Sequence, residues 1–327
     1  MQARHLTANQ LDFVNLIITY LTEHGVMDVS RLYEAPFTDH APAGPEAFSA
    51  APTSTPWSNS SIRYAHRVAR GGVSDDGVMP FDAVAPALHG PALSAQHWDN
   101  LTFLHWPVDP ARITRFFPPG VRPDVFDGVS YVGLVPFQMR GAGPGRVPVT
   151  YFGSFAETNV RLYSVDEQDR HGIVFLTLEA SRLATVLLAR ASLGLPYTWS
   201  AMTVTRDSDT VSYASRRRWP NRASGAGGTV RIRIGADAAP TPVETWLTSR
   251  WGLHTSVAGR TIWLPNEHGP WPLRSAELLD LDSTLVAACG IDITGAGLLR
   301  PLWSPGVRTT FGWPSRVRVP GGATAGG

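Results

Sequence analysis

The sequence runs to 327 residues and carries 28 basic side chains, every one an arginine, against 27 acids, for a net charge of +1. The lack of lysine excludes lysine Schiff-base chemistry, and the near balance of charge argues against strong attraction to nucleic acid or an anionic membrane. One cysteine, Cys289, excludes an internal disulfide and a cysteine metal cage, and fits a reducing cytoplasm. No apolar run reaches the roughly 18 to 20 residues of a membrane helix. Met1 to Gly25, interrupted by Asp12 and Glu23, does not read as a secretory signal. The 31 glycines, 27 prolines and 11 tryptophans point to short strands, many turns and aromatic packing.

In chain order, residues 1–50 come first. Leu11, Val14, Ile17, Ile18 and Leu21 recur at helical spacing and predict an amphipathic helix, started by Thr7 or Asn9 and stopped at Gly25. Pro36, Pro42 and Pro45 then break regular structure. The run Leu6-Thr-Ala-Asn-Gln-Leu-Asp-Phe-Val-Asn-Leu-Ile, followed by Leu32-Tyr-Glu-Ala-Pro-Phe-Thr-Asp, resembles the C-terminal tail of the motor (R) subunit of type I restriction enzymes. No Walker A motif accompanies it, so no ATPase or helicase activity is implied. The segment reads as a fragment of a fused or mis-started frame, with a partner-docking helix as the alternative. Residues 51–93, rich in Ser, Pro, Gly and Ala, read as a disordered linker.

Residues 94–319 form the expected folded domain, and 320–327 a flexible Gly/Ala tail. Strands are predicted at Leu101–Trp106, Val129–Met139, Phe155–Ser164 and Gly172–Ala180, then a helix at Leu183–Ala191. Further strands are predicted at Ala201–Arg206, Val211–Arg217, Thr229–Ile234, Arg260–Leu264 and Ala276–Asp280, with a short helix at Thr245–Trp251. Many short strands with few helices point to a barrel or sandwich.

One set of segments carries a second resemblance. Trp98 and Leu104-His-Trp-Pro-Val-Asp-Pro110 open it, with Pro118-Pro-Gly-Val121 and Phe126-Asp-Gly-Val-Ser-Tyr-Val-Gly-Leu-Val-Pro-Phe137 next. Glu157-Thr-Asn-Val-Arg161, Leu195-Pro-Tyr197 and His268-Gly-Pro-Trp-Pro-Leu273 complete it in order. Together they resemble the YqjF-like uncharacterised family, a branch of the acetoacetate decarboxylase-like superfamily. The resemblance implies a mainly β (α+β) fold: a closed antiparallel barrel with a small internal cavity and a few flanking helices. The superfamily's Gly-x-Pro-Lys-Lys motif stands here as Gly194-Leu-Pro-Tyr-Thr198. Tyr197 and Thr198 replace the lysines, and neither hydroxyl forms an imine with a ketone. The decarboxylase's cavity arginine falls near Trp106-Pro107 here and is also missing. The fold is expected to carry over and the decarboxylase activity is not.

Strand period puts Glu157, Asn159, Arg161 and Tyr163 on one face. Pattern alone favours a solvated outer face; under the resemblance that face lines the cavity, which brings the two readings level. Arg161 is suited to hold a carboxylate, and Glu157 with Tyr197 to acid/base work. Arg190 either faces the cavity or caps its helix. His105 and Trp106 are adjacent on a strand, so one of them faces inward. His268 and Trp271 lie in a Pro-rich loop suited to closing a barrel mouth. The expected ligand set is therefore Asn159, Arg161, Tyr163, Arg190, His105, Trp106, His268 and Trp271 around a catalytic pair Glu157 and Tyr197.

No metal is expected, because Glu267 and His268 are merely adjacent and no His-x-His spacing exists. No cofactor is expected either: Gly141-Ala-Gly-Pro-Gly145 lacks a β-α context, and no Gly-x-Ser-x-Gly elbow occurs. Arg216, Arg217, Arg218, Arg222, Arg231 and Arg233 read as exterior, not as a nucleic-acid surface. The expected function is binding of a small, carboxylate-bearing molecule in an internal cavity, with a homo-oligomer possible. The alternatives are a non-catalytic sensing module, or a restriction-system component defined by the N-terminal segment.

Overall fold

Thirteen strands dominate the computed structural model, which describes residues 84–148, 153–219 and 225–319. The expected N-terminal helix, most of the linker and the tail lie outside the described residues. The strands are β1 (Ser94–Val108), β2 (Val121–Pro123), β3 (Ser130–Pro144), β4 (Phe155–Asp166), β5 (His171–Ala180), β6 (Tyr197–Asp207) and β7 (Thr210–Trp219). They continue with β8 (Gly227–Asp237), β9 (Gly252–Val257), β10 (Arg260–His268), β11 (Arg274–Ser283), β12 (Leu302–Phe311) and β13 (Ser315–Arg316). Four short helices accompany them: α1 (Pro110–Ile113), α2 (Leu183–Leu193), α3 (Pro242–Thr248) and α4 (Leu285–Ala288).

The strands join in the order β13-β10-β9-β5-β6-β7-β8-β11-β12-β1-β3-β4-β2, and further pairings of β4 with β5 and of β10 with β12 turn the sheet back on itself. The result is mainly β, a mixed sheet ring. It departs from the wholly antiparallel expectation because β5 runs parallel to both β6 and β9. The chain returns from β5 through α2, and such a helical crossover permits a parallel neighbour.

Two apolar cores lie on opposite sides of a wall made of β1, β3, β4 and β5. Alternate residues of these strands enter alternate cores. Phe103, Val135, Tyr163 and Leu178 belong to the first core, with Trp246 and Leu247 of α3 and Leu253, Ile262 and Leu264 of β9 and β10. Leu104, Trp106, Val132, Leu134, Val160 and Leu162 belong to the second, with Val211, Tyr213, Val230 and Ile232 of β7 and β8. Each such large side chain, fully buried, stabilises by roughly 1.5–3 kcal/mol. Nearly every residue of β4 is buried, so the solvated-face reading of its polar residues is wrong: both faces are covered.

The short helix expected at Thr245–Trp251 begins earlier, at Pro242. A capping box fixes that start, with Thr241 accepting from Glu244 N and the Glu244 carboxylate accepting from Thr241 N. The assigned linker also ends earlier than expected. Leu93 is buried, and its N–H donates to Phe311 O at 2.8 Å.

Candidate functional site

The polar face of β4 turns into the first core. Glu157, Asn159, Arg161 and Tyr163 are all buried there, Glu157 at 2 % exposure and Arg161 at 8 %. Sheet register sets their neighbours. Glu157 lies opposite Phe137 and Ala180, Asn159 opposite Val135 and Leu178, and Arg161 opposite Gly133 and Phe175.

Tyr197 reaches Glu157 by way of α2. The helix ends on Gly194 in the left-handed conformation, with φ +61°. A Cβ there would collide with the Ser256 carbonyl, so only glycine lets the chain turn so tightly under β9. Leu195 and Pro196 follow, and Tyr197 starts β6 paired with Leu178. Tyr197 Oη donates to Glu157 Oε2 at 2.9 Å. Burial raises the Glu157 carboxyl to about 8, only partly offset by hydrogen bonds from Tyr197 and Asn159. Burial, then the neighbouring Glu157, pushes the Tyr197 phenol well above its ordinary value. Both groups therefore hold their protons at neutral pH. The Asn159 Oδ1 acceptor, buried beside them, has no donor among the described residues.

Further along the face a second group forms around Arg161. His105 of β1 pairs with Gly133 of β3, which pairs with Arg161 of β4. A Cβ on Gly133 would lie 3.1 Å from His105 Cδ2 and 3.3 Å from Arg161 Cγ. The glycine thus lets the imidazole and the arginine stem close over it. Arg161 Nε donates to Tyr163 Oη at 3.3 Å, and Tyr163 Oη sits 2.6 Å from His105 Nε2. The phenol accepts from Arg161, and the His105 tautomer sets which of Oη and Nε2 donates in the second bond. Burial, then Arg161 and Arg250, hold the His105 pKa well below the ordinary value, so the ring is neutral.

Arg161 makes no ion pair among the described residues, and its Nη1 and Nη2 atoms donate to no protein acceptor there. Its Cζ lies 5.7 Å from the Phe103 ring centre and 5.6 Å from that of Tyr163. Trp271 stands edge-on to Phe103 at 5.2 Å, and His268 lies 4.8 Å from Trp271. Trp271 Nε1 donates to Thr248 O at 3.1 Å. His268 is neutral as well: burial lowers it, Arg161 adds to this, and a bond from Nδ1 to Gly269 O at 2.7 Å opposes it.

Of the ten residues expected in the site, eight lie on or around this face. Trp106 does not. It packs in the second core, because it points away from the side His105 takes. Arg190 does not either. Its Nη1 donates to the Tyr197 carbonyl at 2.8 Å and its guanidinium stacks 5.2 Å over Trp219, so it steadies the start of β6.

Three residues escaped sequence reasoning. Phe103 was within reach of it, two positions before His105 on the same strand face. Gly133 gave no signal short of the register. Arg250 is buried, bonded to Asp124, and lies 3.9 Å over Trp246 and 4.9 Å over Tyr163; nothing local in the sequence marks it. Ser164, His254 and Asp166 form a serine–histidine–aspartate chain at 2.9 and 3.1 Å. All three are buried and Asp166 is committed to Arg170, so the chain braces β4 against β9 and offers no exposed nucleophile. Among the described residues no group of three or more His, Cys, Asp or Glu is placed to hold a metal, and no helix is long and apolar enough to cross a membrane.

Residues 95–308 match the DUF2071 family, described as an uncharacterized conserved protein (COG2071). Residues 1–49 match the EcoEI R protein C-terminal family. The "Uncharacterized protein YqjF" of Bacillus subtilis (strain 168) is 29% identical over 199 residues, which is 61% of this chain and 82% of that protein. Among solved structures, acetoacetate decarboxylase from Legionella pneumophila subsp. pneumophila str. Philadelphia 1 has a TM-score of 0.50 at 12% identity, covering 86% of this chain and 98% of its own. An acetoacetate decarboxylase-like enzyme from Sphingomonas wittichii RW1 has a TM-score of 0.47 at 13% identity, covering 72% of this chain and 100% of its own. The likeness to the Legionella structure is one of fold.

Proposed function

The chain belongs to the DUF2071 family of uncharacterized conserved proteins, and from that premise we propose that it binds a small organic carboxylate on the inner face of β4, without imine chemistry. In this reading the strand ring serves as a closed barrel around the ligand. One observation carries it: Arg161 is a buried cation with no acidic partner among the described residues. A buried charge left unpaired costs on the order of several kcal/mol, and a ligand carboxylate matching the guanidinium fork would offset that cost. Glu157, neutral near pH 7, does not compete for Arg161 and is poised to donate a proton to the ligand as a general acid, with Tyr197 behind it. No lysine is present to form an imine.

Calorimetric titration with pyruvate and with acetate tests this. Binding to the native chain that weakens by about 10- to 100-fold in Arg161→Met supports the reading. Binding that ignores Arg161, or none at all, contradicts it. Borohydride treatment with a ketone should leave the mass of the chain unchanged, and a stable adduct on an internal residue would overturn the exclusion of covalent chemistry.

A non-catalytic sensing module is the second reading. It draws on the hydroxyls of this face, which are the phenols of Tyr163 and Tyr197, both already hydrogen-bonded. Binding without turnover of any carboxylate bound would favour it.

A further inference from the structure

The wall beside Arg161 is aromatic over a longer path than a small aliphatic acid needs. Phe103 lies under the guanidinium. Trp271 abuts Phe103 edge-on, and Trp98 lies nearly parallel to Trp271, 14° from it with centres 6.0 Å apart. His268 fills the angle between Trp271 and Trp251, 4.8 Å from each. Phe103 is buried, whereas Trp98 and Trp271 are only partly so. The rings thus run in contact from half-buried Trp98 and Trp271 to Phe103 beside Arg161, the one buried guanidinium among the described residues that lacks an acid.

Aromatic walls also serve as cages for organic cations, but the charge here is wrong for one. Arg161 and Arg250 lie 5.6 and 4.9 Å over Tyr163, Asp124 is taken up by Arg250, and among the described residues no carboxylate pairs with Arg161. An anion with a flat, polarisable body satisfies both features. Its carboxylate meets the guanidinium fork and its ring packs edge-to-face or offset against the indoles.

Resting on the carboxylate reading above, we propose that the ligand class is an aromatic carboxylate, its ring held by Trp271, Trp98 and Phe103 and its carboxylate by Arg161. Calorimetric titration of the full chain with benzoate, cyclohexanecarboxylate and acetate tests this, since the first two share size and charge and differ in aromaticity. Benzoate is expected to bind about tenfold more tightly than cyclohexanecarboxylate, as two or more aromatic contacts together allow. It should bind about a hundredfold more tightly than acetate. Trp271→Leu should lower benzoate affinity by about tenfold and that of cyclohexanecarboxylate by no more than about threefold. Upfield ring-current shifts of the benzoate protons, read by NMR on the unmodified chain, give a second measure that needs no variant.

Equal affinities for benzoate and cyclohexanecarboxylate, both lost in Arg161→Met, would overturn the aromatic assignment and leave the carboxylate reading standing. Binding of none of the three in an Arg161-dependent manner would overturn both.

Discussion

Two glutamates on neighbouring strands show how differently the two cores use a buried charge. Glu157 of β4 lies opposite Ala180, and Thr158 beside it lies opposite Glu179 of β5. One register step turns the two carboxyls to opposite sides of the wall. Glu179 is wholly buried and bonded by Arg217, Ser200 and Thr177. Burial alone would raise its pKa, but the Arg217 hydrogen bonds and charge outweigh that and bring it below the ordinary value. Glu157 has a phenol and an amide for company and no cation, so burial wins. Tyr197 and Thr198 divide the same way: Tyr197 reaches Glu157, and Thr198 pairs in register with Glu179 and donates its hydroxyl to Leu178 O at 3.4 Å. The charge of Glu179 is neutralised by Arg217, whereas Glu157 and Arg161 have no partner of opposite charge among the described residues. A buried ionisable group without a partner of opposite charge is costly to keep, and Glu157 and Arg161 are the two that the proposed binding site would use.

Removing the two arginines breaks this contrast most sharply. Arg217→Met leaves Glu179 alone in an apolar core and is expected to destabilise the fold by about 3–5 kcal/mol. Arg161→Met removes a buried cation that pairs with no acid among the described residues, and is expected to stabilise the fold by about 1–4 kcal/mol. Urea unfolding of both variants reads the difference.

The pH dependence should separate the glutamates next. The folded-state pKa of Glu157, about 8, exceeds its ordinary value of 4.5. Between those values the folded form holds a proton that the unfolded chain releases, so stability contributed by this group is full below about pH 4.5 and falls as pH rises towards 8, by on the order of a few kcal/mol. Glu157→Gln is expected to flatten that fall. Glu179 works in the opposite sense: its lowered pKa gives stability above the ordinary carboxylate range that is lost as pH falls. Thermal unfolding of Glu157→Gln and Glu179→Gln across pH 4 to 9 should therefore give changes of opposite slope.

Smaller effects sharpen the geometry. Gly133→Ala pushes a methyl group against His105 and Arg161 and is expected to destabilise by about 1–3 kcal/mol, with weaker carboxylate binding by calorimetry. Tyr197→Phe removes one hydrogen bond to Glu157, at about 1 kcal/mol by urea unfolding. Because that bond favours the ionised acid, its loss should move the Glu157 pKa further up.

Much of this was legible in the sequence, for identifiable reasons. The period of β4 put Glu157, Asn159, Arg161 and Tyr163 on one face, and the Gly194-to-Thr198 stretch placed Tyr197 near them. The direction of that face was not legible, since alternation looks the same whether the other side meets water or a second core. For the same reason His105 and Trp106 could not be told apart. Strand β12 was overlooked because Pro305 and Gly306 interrupt it, and β9 because its six residues carry little alternation. The Glu179–Arg217 pair joins residues 38 apart in sequence, and only the folded register reveals it. Arg217 had looked like part of an exterior basic run. It turns inward while Arg216 and Arg218 stay exposed.

The most direct measurement is a titration of the glutamate side-chain carboxyl carbons by NMR in chain labelled with carbon-13, assigned with Glu157→Gln and Glu179→Gln. The expected result is one buried glutamate, Glu157, that stays protonated at neutral pH and titrates near 8, and another, Glu179, that is ionised from below its ordinary range upward. Both titrating in the ordinary carboxylate range, or Glu157 ionised at pH 6, would contradict the division between a structural charge and an available acid.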